Sequence, residues 1–446
     1  MTAELTDRSH LAERSSARSD NATTGPPLAE TMAPAFERLL NGPPPITIEF
    51  WDGSRIGADG PNLLRFNSPR AVQRIVWSPH ELGLARAFVS GEVDAIGNIA
   101  DILRALQSSI RNEPRVAVRA LPEVISAARS IGALGPPPPR PAEELLLHGV
   151  RHTLQRDRQV ISHHYDVGND FYELVLGPAM TYSCARFTTA TTNLEDAQAA
   201  KHELICRKLG LHERPGRRTR LLDVGCGWGS MAIHAATHHN ADVVGITIST
   251  EQADYARRRV ADLGLSDRVD IRIQDYREID DGPFDVISSI GMAEHVGSRR
   301  MTEYFTRLYS LLVPGGRLLN HAIASTGGTK LSRRGFVGRY VFPDGELLDI
   351  ADTARHMEAA GFEVRDVENL REHYAQTLRH WVANLERHWD AAVELVGEAR
   401  ARVWLLYMSG SINGFEDGGL QLMQTLGIRL ADGGASGMPR TRAGWS

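Results

Sequence analysis

The sequence predicts an α/β protein in which a small α+β domain precedes a larger, Rossmann-like domain with a mainly parallel sheet. Two observations predict this class. Between residues 219 and 367, segments with the pattern of strands alternate with segments with the pattern of helices, as in doubly wound sheets. The first strand, residues 220–224, runs directly into a glycine-rich turn and a helix, which is how nucleotide-binding α/β units begin.

Composition divides the 446-residue chain into five segments. Residues 1–30 are rich in small and polar residues, so we predict a disordered tail. Residues 31–132 have the length and pattern of a small α+β domain. Residues 133–145 contain a run of prolines typical of a stiff linker. The main domain is predicted over 146–430, and 431–446 is expected to be a flexible tail.

The predicted N-terminal domain combines short strands with helices. A strand pattern leads into Asp52-Gly53, which is a hairpin signal. Ser68-Pro69 is typical of a helix start, because proline is favoured in the first helical turn. The predicted strands are 46–51, 54–56 and 63–66, and the predicted helices are 68–76, 82–89 and 99–110.

The elements of the main domain follow from hydrophobic periodicity. The helix after the second strand is indicated by a capping box, Ser249-Thr250-Glu251-Gln252. The segment 284–290 is apolar with small serines, which suits a central parallel strand. The predicted strands are 220–224, 242–248, 269–273, 284–290, 317–323 and 361–367. The other predicted helices are 194–209, 231–239, 304–312, 374–395 and 399–408.

Charge and cysteine usage exclude several classes of protein. The formal net charge of −5 gives no basic field for nucleic acid, so we expect no nucleic-acid partner. Cys184, Cys206 and Cys226 lie in different elements without a C-x-x-C pair, so we predict no metal site, no disulfide and a reducing cytoplasm. No run of about 18 apolar residues exists, so any membrane contact is expected to be peripheral.

The spacing of the glycine turn distinguishes between two ligands. A dinucleotide-binding turn reads G-x-G-x-x-G, whereas residues 225–229 read G-x-G-x-G and Ser230 replaces the third glycine. Trp228 stands where a pyrophosphate would need clear backbone. The turn therefore favours an adenosyl ligand with an amino-acid tail, S-adenosylmethionine. A tight turn without any ligand is the alternative that these residues alone leave open.

Several separated motifs resemble one family, the cyclopropane fatty acyl phospholipid synthases, including the mycolic acid cyclopropane synthases. The resemblance covers 163–430 and implies a class I methyltransferase domain with a mainly parallel seven-stranded sheet. Residues 80–98 resemble the small N-terminal domain of the longer, phospholipid-acting members. The motifs of the main domain are His164-Tyr165-Asp166 to Tyr172, Tyr182-Ser183-Cys184-Ala185, residues 222–229, residues 291–297, His321-Ala322-Ile323 and residues 340–345.

The resemblance implies a reaction. Members pass the methyl group of S-adenosylmethionine to a cis double bond of an unsaturated phospholipid acyl chain. A bound bicarbonate ion then removes a proton from the resulting carbocation, and a cyclopropane ring closes. Water must be excluded from such a cation, and aromatic faces attract cations. The candidates for this role are Tyr172, Phe187, Phe342 and Trp381.

Five catalytic positions follow from the resemblance. Glu294 and His321 are expected to hold the bicarbonate through their side chains, and Ile323 through its backbone. Cys184 is expected to position the anion rather than to act as a nucleophile, and Tyr374 to reach the same anion. Each has an ordinary structural alternative: a solvated acid, a core histidine, a small buried thiol or a core tyrosine.

The resemblance also implies the cofactor positions. Strand two ends near Thr247 without the acid common in this fold, so a polar residue and a glutamine are expected to serve the cofactor. The predicted cofactor-binding residues are Tyr182, Ser183, Gly225, Gly227, Thr247, Gln252, Gln274 and Tyr276.

The sequence leaves three functional alternatives open. The same cation could shift a hydride and lose a proton elsewhere, giving an exomethylene that a separate reductase turns into a methyl branch. A non-catalytic lipid-binding module and a methyltransferase for small molecules or nucleic acid are the other two. We expect a cytoplasmic protein at the inner face of the membrane, with a possible homodimer. The basic residues Lys330, Arg333, Arg334 and Arg339 are predicted to contact anionic lipid.

Overall fold

The computed structural model describes residues 26–79, 81–109, 114–145, 167–213, 216–328 and 332–445. The motif residues 163–166, most of the predicted N-terminal tail and Lys330 lie outside this range. The described chain forms two compact units. The first contains the residues up to Leu145 together with Arg334–Phe336 and Glu398–Asn413, and the second contains the remainder. The domain boundaries read from the sequence stay a prediction.

The first unit is built on a four-stranded sheet with the order β2-β1-β3-β4. Strand β1 is parallel to β3, and the other two pairings are antiparallel. The rings of Phe36, Phe50 and Phe66 pack together with centroids 5.5–5.9 Å apart and form part of the core. Its strands are β1 (Thr47–Glu49), β2 (Arg55–Ile56), β3 (Leu63–Phe66) and β4 (Val93–Ile96). Its N-terminal helices are α1 (Leu28–Leu40), α2 (Pro69–Trp77), α3 (Glu81–Val89), α4 (Ile99–Ser109) and α5 (Pro114–Ser130).

The second unit contains the predicted seven-stranded, mainly parallel sheet, which is therefore confirmed. The strand order is β10-β11-β9-β8-β5-β6-β7, and β11 runs antiparallel to both of its neighbours. Its strands are β5 (Thr219–Val224), β6 (Ala241–Thr247), β7 (Val269–Ile273), β8 (Phe284–Ile290), β9 (Leu312–Ser325), β10 (Glu363–Asn369) and β11 (Leu420–Ile428).

Helices lie between these strands. Helix α7 (Leu194–Leu209) follows the N-cap residue Asn193, whose side chain accepts the Asp196 N–H, and precedes the C-cap residue Gly210, which is in the left-handed conformation. The predicted capping box is present at α9, because the Ser249 side chain accepts the Gln252 N–H. The remaining helices of the described chain are α6 (Asn169–Leu176), α7 (Leu194–Leu209), α8 (Ser230–His238), α9 (Thr250–Asp262), α10 (Ala293–Val296), α11 (Met301–Leu311), α12 (Phe336–Tyr340), α13 (Ile350–Ala359), α14 (Arg371–Arg387), α15 (Trp389–Val396) and α16 (Glu398–Glu416). Phe336 of α12 and Glu398–Asn413 of α16 belong to the first unit.

Three differences from the sequence prediction have local causes. Residues 374–395 form two helices that meet at His388 rather than one. Strand β11 was not predicted. It is buried on both faces, so its sequence does not alternate between polar and apolar residues. The sequence predicts a flexible tail after residue 430, but Trp445 is only 6% exposed, and Lys208 Nζ lies 5.8 Å from its ring centroid.

The strand order places the site. Strand β5 pairs with β6 on one side and with β8 on the other, all parallel. The loops that leave the carboxyl ends of β5 and β8 therefore meet at the point where the order reverses, which is where doubly wound folds bind ligands. Within the described part of the chain, no helix combines the length and apolar character needed to cross a bilayer.

Candidate active site

A cavity of about 150 Å³ lies at the carboxyl ends of β5, β6 and β8. The last residues of these strands, Val224, Thr247 and Ile290, all line it. All eight residues predicted to bind the cofactor also line it: Tyr182, Ser183, Gly225, Gly227, Thr247, Gln252, Gln274 and Tyr276. The structure thus brings together residues that are separated by up to about a hundred positions in the sequence.

The glycine turn forms one wall of the cavity. The N–H groups of Gly225 and Cys226 both donate to the Ile246 carbonyl, at 3.0 and 2.9 Å, which ties the turn to the end of β6. Gly227 has a φ of +55°, and a Cβ built on it would meet no atom within 4 Å. Because Gly227 lines the cavity, the absent side chain leaves room for a ligand to approach the backbone.

The cavity wall at the carboxyl ends of β6 and β7 is polar. Thr247 Oγ1 donates to Gln252 Oε1 at 2.9 Å, and the Gln274 N–H donates to the Thr247 carbonyl at 3.0 Å. Asp275 also lines the cavity, and its Oδ1 accepts from Arg277 Nε at 2.7 Å. This wall therefore offers neutral hydrogen-bonding groups together with charged ones, because Arg277 and Arg300 also line the cavity.

Two buried charged groups in the cavity wall were missed by sequence reasoning. Lys201 on α7 is fully buried, its Nζ donates to Ser183 Oγ at 3.0 Å, and burial lowers its pKa to about 7. Asp223 on β5 accepts from Ser288 Oγ at 2.7 Å, and burial raises its pKa to about 6. The sequence could have identified Lys201 as buried, because its helical spacing places it on the same face of α7 as Ala197 and Leu204.

Glu294 lies on α10, directly after β8. Its Oε1 accepts the Ile323 N–H at 2.7 Å, whereas its Oε2 is buried and has no hydrogen-bond partner among the described residues. The last β8–β9 pair is Ile290 with His321, so Ile323 lies beyond the end of β8 and its N–H has no strand partner there. The Glu294 carboxylate accepts this N–H in place of a backbone carbonyl of β8. Burial raises the pKa of Glu294 to about 7.

His321 lies in β9, two residues before Ile323, and is 1% exposed. Gln424 Nε2 on β11 donates to His321 Nδ1 at 3.2 Å, so the ring proton lies on Nε2. His321 Nε2 is buried and without a partner among the described residues. Burial lowers the pKa of His321 well below its ordinary value, so the ring is a neutral donor.

Cys184 and Tyr374 complete the predicted catalytic set. Cys184 is fully buried, its Sγ donates to the Ala185 carbonyl at 3.1 Å, and burial raises the pKa of its thiol well above the ordinary value. The thiol therefore stays protonated. A nucleophilic cysteine would have to be a thiolate, so the protonated group fits a positioning role. Tyr374 on α14 is 7% exposed, and its ring centroid lies 4.6 Å from that of Phe415.

The five predicted catalytic residues do not line the cavity. Cys184 follows the lining residue Ser183, and Glu294 lies between the lining residues Met292 and His295. The Ile323 N–H, expected to contact an anion, donates to Glu294 instead. None of the five predicted catalytic residues therefore lies in the lining of the cavity that holds the predicted cofactor residues.

A row of aromatic rings leads from the glycine turn to Tyr374. Successive centroids are 4.7 Å apart from Trp228 to Tyr172, 5.8 Å to Tyr182, 5.3 Å to Trp381 and 6.0 Å to Tyr374. Two of the four aromatic residues predicted to face a cation, Tyr172 and Trp381, belong to this row. The other two pack against histidines: Phe187 against His373 and His380, and Phe342 against His295.

A doubly wound seven-stranded sheet with a glycine turn at the ligand cavity is the architecture of class I methyltransferases. The model of the mycolic acid cyclopropane synthetase family matches residues 152–425, and the chain belongs to this family. It is an S-adenosylmethionine-dependent methyltransferase of the cyclopropane synthase type. The open space at Gly227 fits a cofactor that approaches the backbone of the turn.

Known proteins of this type are similar over different parts of the chain. A probable fatty acid methyltransferase of Mycobacterium tuberculosis is 43% identical, with 89% of this chain and 94% of that protein covered. The cyclopropane-fatty-acyl-phospholipid synthase of Escherichia coli is 37% identical, with 61% of this chain and 68% of that protein covered. The structure of mycolic acid cyclopropane synthase CmaA1 complexed with SAH and CTAB has a TM-score of 0.57 and 32% identity, covering 61% of this chain and 98% of CmaA1.

The cavity generates a prediction about cofactor binding. In Gly227→Val the added side chain enters the open space at the turn, so we expect the affinity for S-adenosylmethionine to fall at least about tenfold, or about 1.4 kcal/mol. Isothermal titration calorimetry measures this affinity. Gly264→Val is the matched control, because Gly264 also has a positive φ and open space but does not line the cavity. Equal affinities in the two folded variants would contradict the assignment of the cavity.

Proposed function

We propose that the chain transfers a methyl group from S-adenosylmethionine to a cis double bond of an unsaturated phospholipid acyl chain, and that the product is a cyclopropane ring. S-adenosylmethionine supplies an electrophilic methyl group when it is bound. The observation that carries the proposal is the pair of buried polar atoms, Glu294 Oε2 and His321 Nε2, that lack partners among the described residues. Neither atom has a partner among the described residues, so each is available for a hydrogen bond to a polar ligand.

A bicarbonate ion fits the chemistry of this pair. Bicarbonate has one O–H donor and several acceptor oxygens, and Glu294 Oε2 offers an acceptor while the neutral His321 ring offers an Nε2–H donor. The ion would supply a proton acceptor at the reacting carbon. We propose that Glu294 and His321 hold this ion, with Cys184 and Tyr374 shaping the site. Ile323 then acts through its hydrogen bond to Glu294, rather than on the anion directly.

An alkene is a weak nucleophile, and its methylation creates a carbocation on the acyl chain. The aromatic row supports this step, because the faces of Tyr172, Tyr182 and Trp381 attract positive charge. Tyr172 and Trp381 are buried, at 0 and 1% exposure. A dry, aromatic environment also keeps water from trapping the cation. The transferred methyl carbon then loses a proton to the acceptor that Glu294 and His321 hold.

The second candidate product is an exomethylene acyl chain, which a separate reductase would convert to a methyl branch. It is favoured by the relative of 43% identity, whose description names fatty acid methyl transfer and no ring. Both products require the same methyl transfer and the same loss of one proton. For the exomethylene, a hydride first shifts so that the cation lies on the carbon that bears the new methyl group. The electrons left by the departing proton then form a double bond instead of closing the ring, so Glu294 and His321 have the same role in both routes.

The pair generates a prediction about turnover. Glu294→Gln leaves either the anion or the Ile323 N–H without an acceptor, so we expect turnover to fall by about 10²–10⁴-fold. The affinity for S-adenosylmethionine is expected to stay within a few-fold of the parent, because Glu294 does not line the cavity. Turnover is measured with unsaturated phospholipid vesicles and added bicarbonate.

The control for this variant is Glu303→Gln, which neutralises an exposed acid on the neighbouring helix α11. Its turnover is expected to match that of the parent. If Glu294→Gln and Glu303→Gln turn over at the same rate, Glu294 has no role in proton removal and the proposal fails.

We further propose that the protein is cytoplasmic and docks peripherally on the inner face of the membrane, through the segment around Arg333 and Arg334. Both side chains are exposed. Arg333 Nη2 lies 3.1 Å from Glu346 Oε1, but the Arg333 side chain remains 60% exposed, so the pair leaves it accessible to lipid. Each surface arginine adds about 1 kcal/mol of attraction to an anionic bilayer. The possible homodimer stays a prediction from sequence.

The docking proposal predicts a salt-dependent defect. Arg333→Ser/Arg334→Ser should bind anionic vesicles more weakly than the parent at low salt, with the difference lost at high salt, where screening removes the attraction. Vesicle co-sedimentation measures binding. Arg258→Ser/Arg355→Ser removes the same charge from two other exposed arginines and is the control. If both double variants bind alike, the segment is not the membrane contact.

A further inference from the structure

Three side chains of types that can bind a metal ion lie between α7 and the end of α8, outside the lining of the cavity. Cys206 comes from α7, His234 from α8, and His239 is the residue at the C-cap of α8. One ligand atom from each of the three lies within 4.8 Å of the other two. Cys206 is buried, and the side chains of His234 and His239 are 11% and 9% exposed.

A carboxylate supports both imidazoles. Glu203 Oε2 lies 2.9 Å from His239 Nε2 and 3.4 Å from His234 Nε2. Its other oxygen accepts from Arg207 Nε at 2.7 Å, which fixes the carboxylate in place. Metal-bound histidines usually form a hydrogen bond to such a carboxylate, which orients the ring and strengthens the ligand.

We propose that Cys206, His234 and His239 bind one zinc ion, with Glu203 as the carboxylate partner of the two imidazoles. A thiolate with two imidazoles is a donor set that zinc prefers, whereas magnesium and calcium require oxygen ligands. Binding forms a Zn–S bond and breaks the S–H bond of Cys206, and the proton passes to the buffer. One thiolate and one carboxylate balance the two positive charges of the ion, and water takes the fourth position.

The position of the group gives the ion a structural role. Helix α8 follows the glycine turn, and α7 carries Lys201 and His202, which line the cavity. A zinc ion bound by Cys206, His234 and His239 would join these two helices and would be present only in the folded chain. Zinc should therefore raise the unfolding temperature of the protein. The prediction of no metal site was based on cysteine spacing, which does not report histidines on another helix.

The test uses the full chain without a histidine tag, stripped of metal with a chelator and titrated with zinc sulfate. We expect one zinc ion per chain and release of a proton, seen by calorimetry in buffers of different ionisation enthalpy. Cobalt(II) should give a thiolate charge-transfer band that Cys206→Ser abolishes. Glu203→Gln should weaken zinc binding about 10–100-fold, as loss of a supporting carboxylate commonly does.

His212→Gln is the control, because it removes a histidine that is 41% exposed and outside the group. Its zinc affinity should equal that of the parent, and His239→Gln should abolish or strongly weaken binding. The chain has 17 histidines, so adventitious surface binding is the competing result. Equal affinities in the parent, Glu203→Gln and His239→Gln, or no saturable binding, would overturn the proposal. Glu203 is 33% exposed, so we expect Glu203→Gln to fold. This variant therefore tests the proposal even if Cys206→Ser does not fold.

Discussion

The hydrogen bond from the Ile323 N–H to Glu294 Oε1 joins the end of the parallel sheet to the proposed reaction centre. It exists because β9 continues past the last residue of β8, so the N–H that would have paired with β8 meets a side chain instead. The bond fixes one carboxylate oxygen and directs the other into the interior. The same geometry places His321 two residues earlier on the strand, with its Nδ1 held by Gln424. On one side of β9, the end of β8 leaves the Ile323 N–H free to hold Glu294. On the other side, Gln424 of β11 fixes the tautomer of His321.

Burial then determines the protonation states. Desolvation raises the pKa of Glu294 to about 7 and of Asp223 to about 6, and lowers that of Lys201 to about 7. Lys201 and Asp223 both line the cavity, and pKa values of about 7 and about 6 keep both groups partly neutral near that pH. A site of this kind accommodates a positively charged cofactor and a developing carbocation without supplying a strong nucleophile that either could alkylate. The protonated Cys184 thiol fits the same requirement.

The sequence predicted what depends on local pattern. The glycine turn, the capping box at Ser249 and helix 194–209 are specified by neighbouring residues, and their ends agree closely with the structure. The cofactor residues were named from the family resemblance, and the structure brings them together because the carboxyl ends of parallel strands meet at one edge. The contacts of Ile323 with Glu294 and of Cys206 with two histidines could not, because they join residues far apart in sequence. Strand β11 was missed because it is buried on both faces and has no alternating pattern.

The central claim is that the transferred methyl carbon loses one proton to a base in the site. The most direct measurement supplies the enzyme with S-adenosylmethionine carrying a fully deuterated methyl group and a phospholipid with a cis-monounsaturated acyl chain. Mass spectrometry of the acyl product counts the deuterium atoms, and NMR identifies the bonds that the new carbon forms. Two retained deuterium atoms on a carbon of a cyclopropane ring are the predicted result. A product that keeps all three deuterium atoms in an intact methyl group would contradict the account.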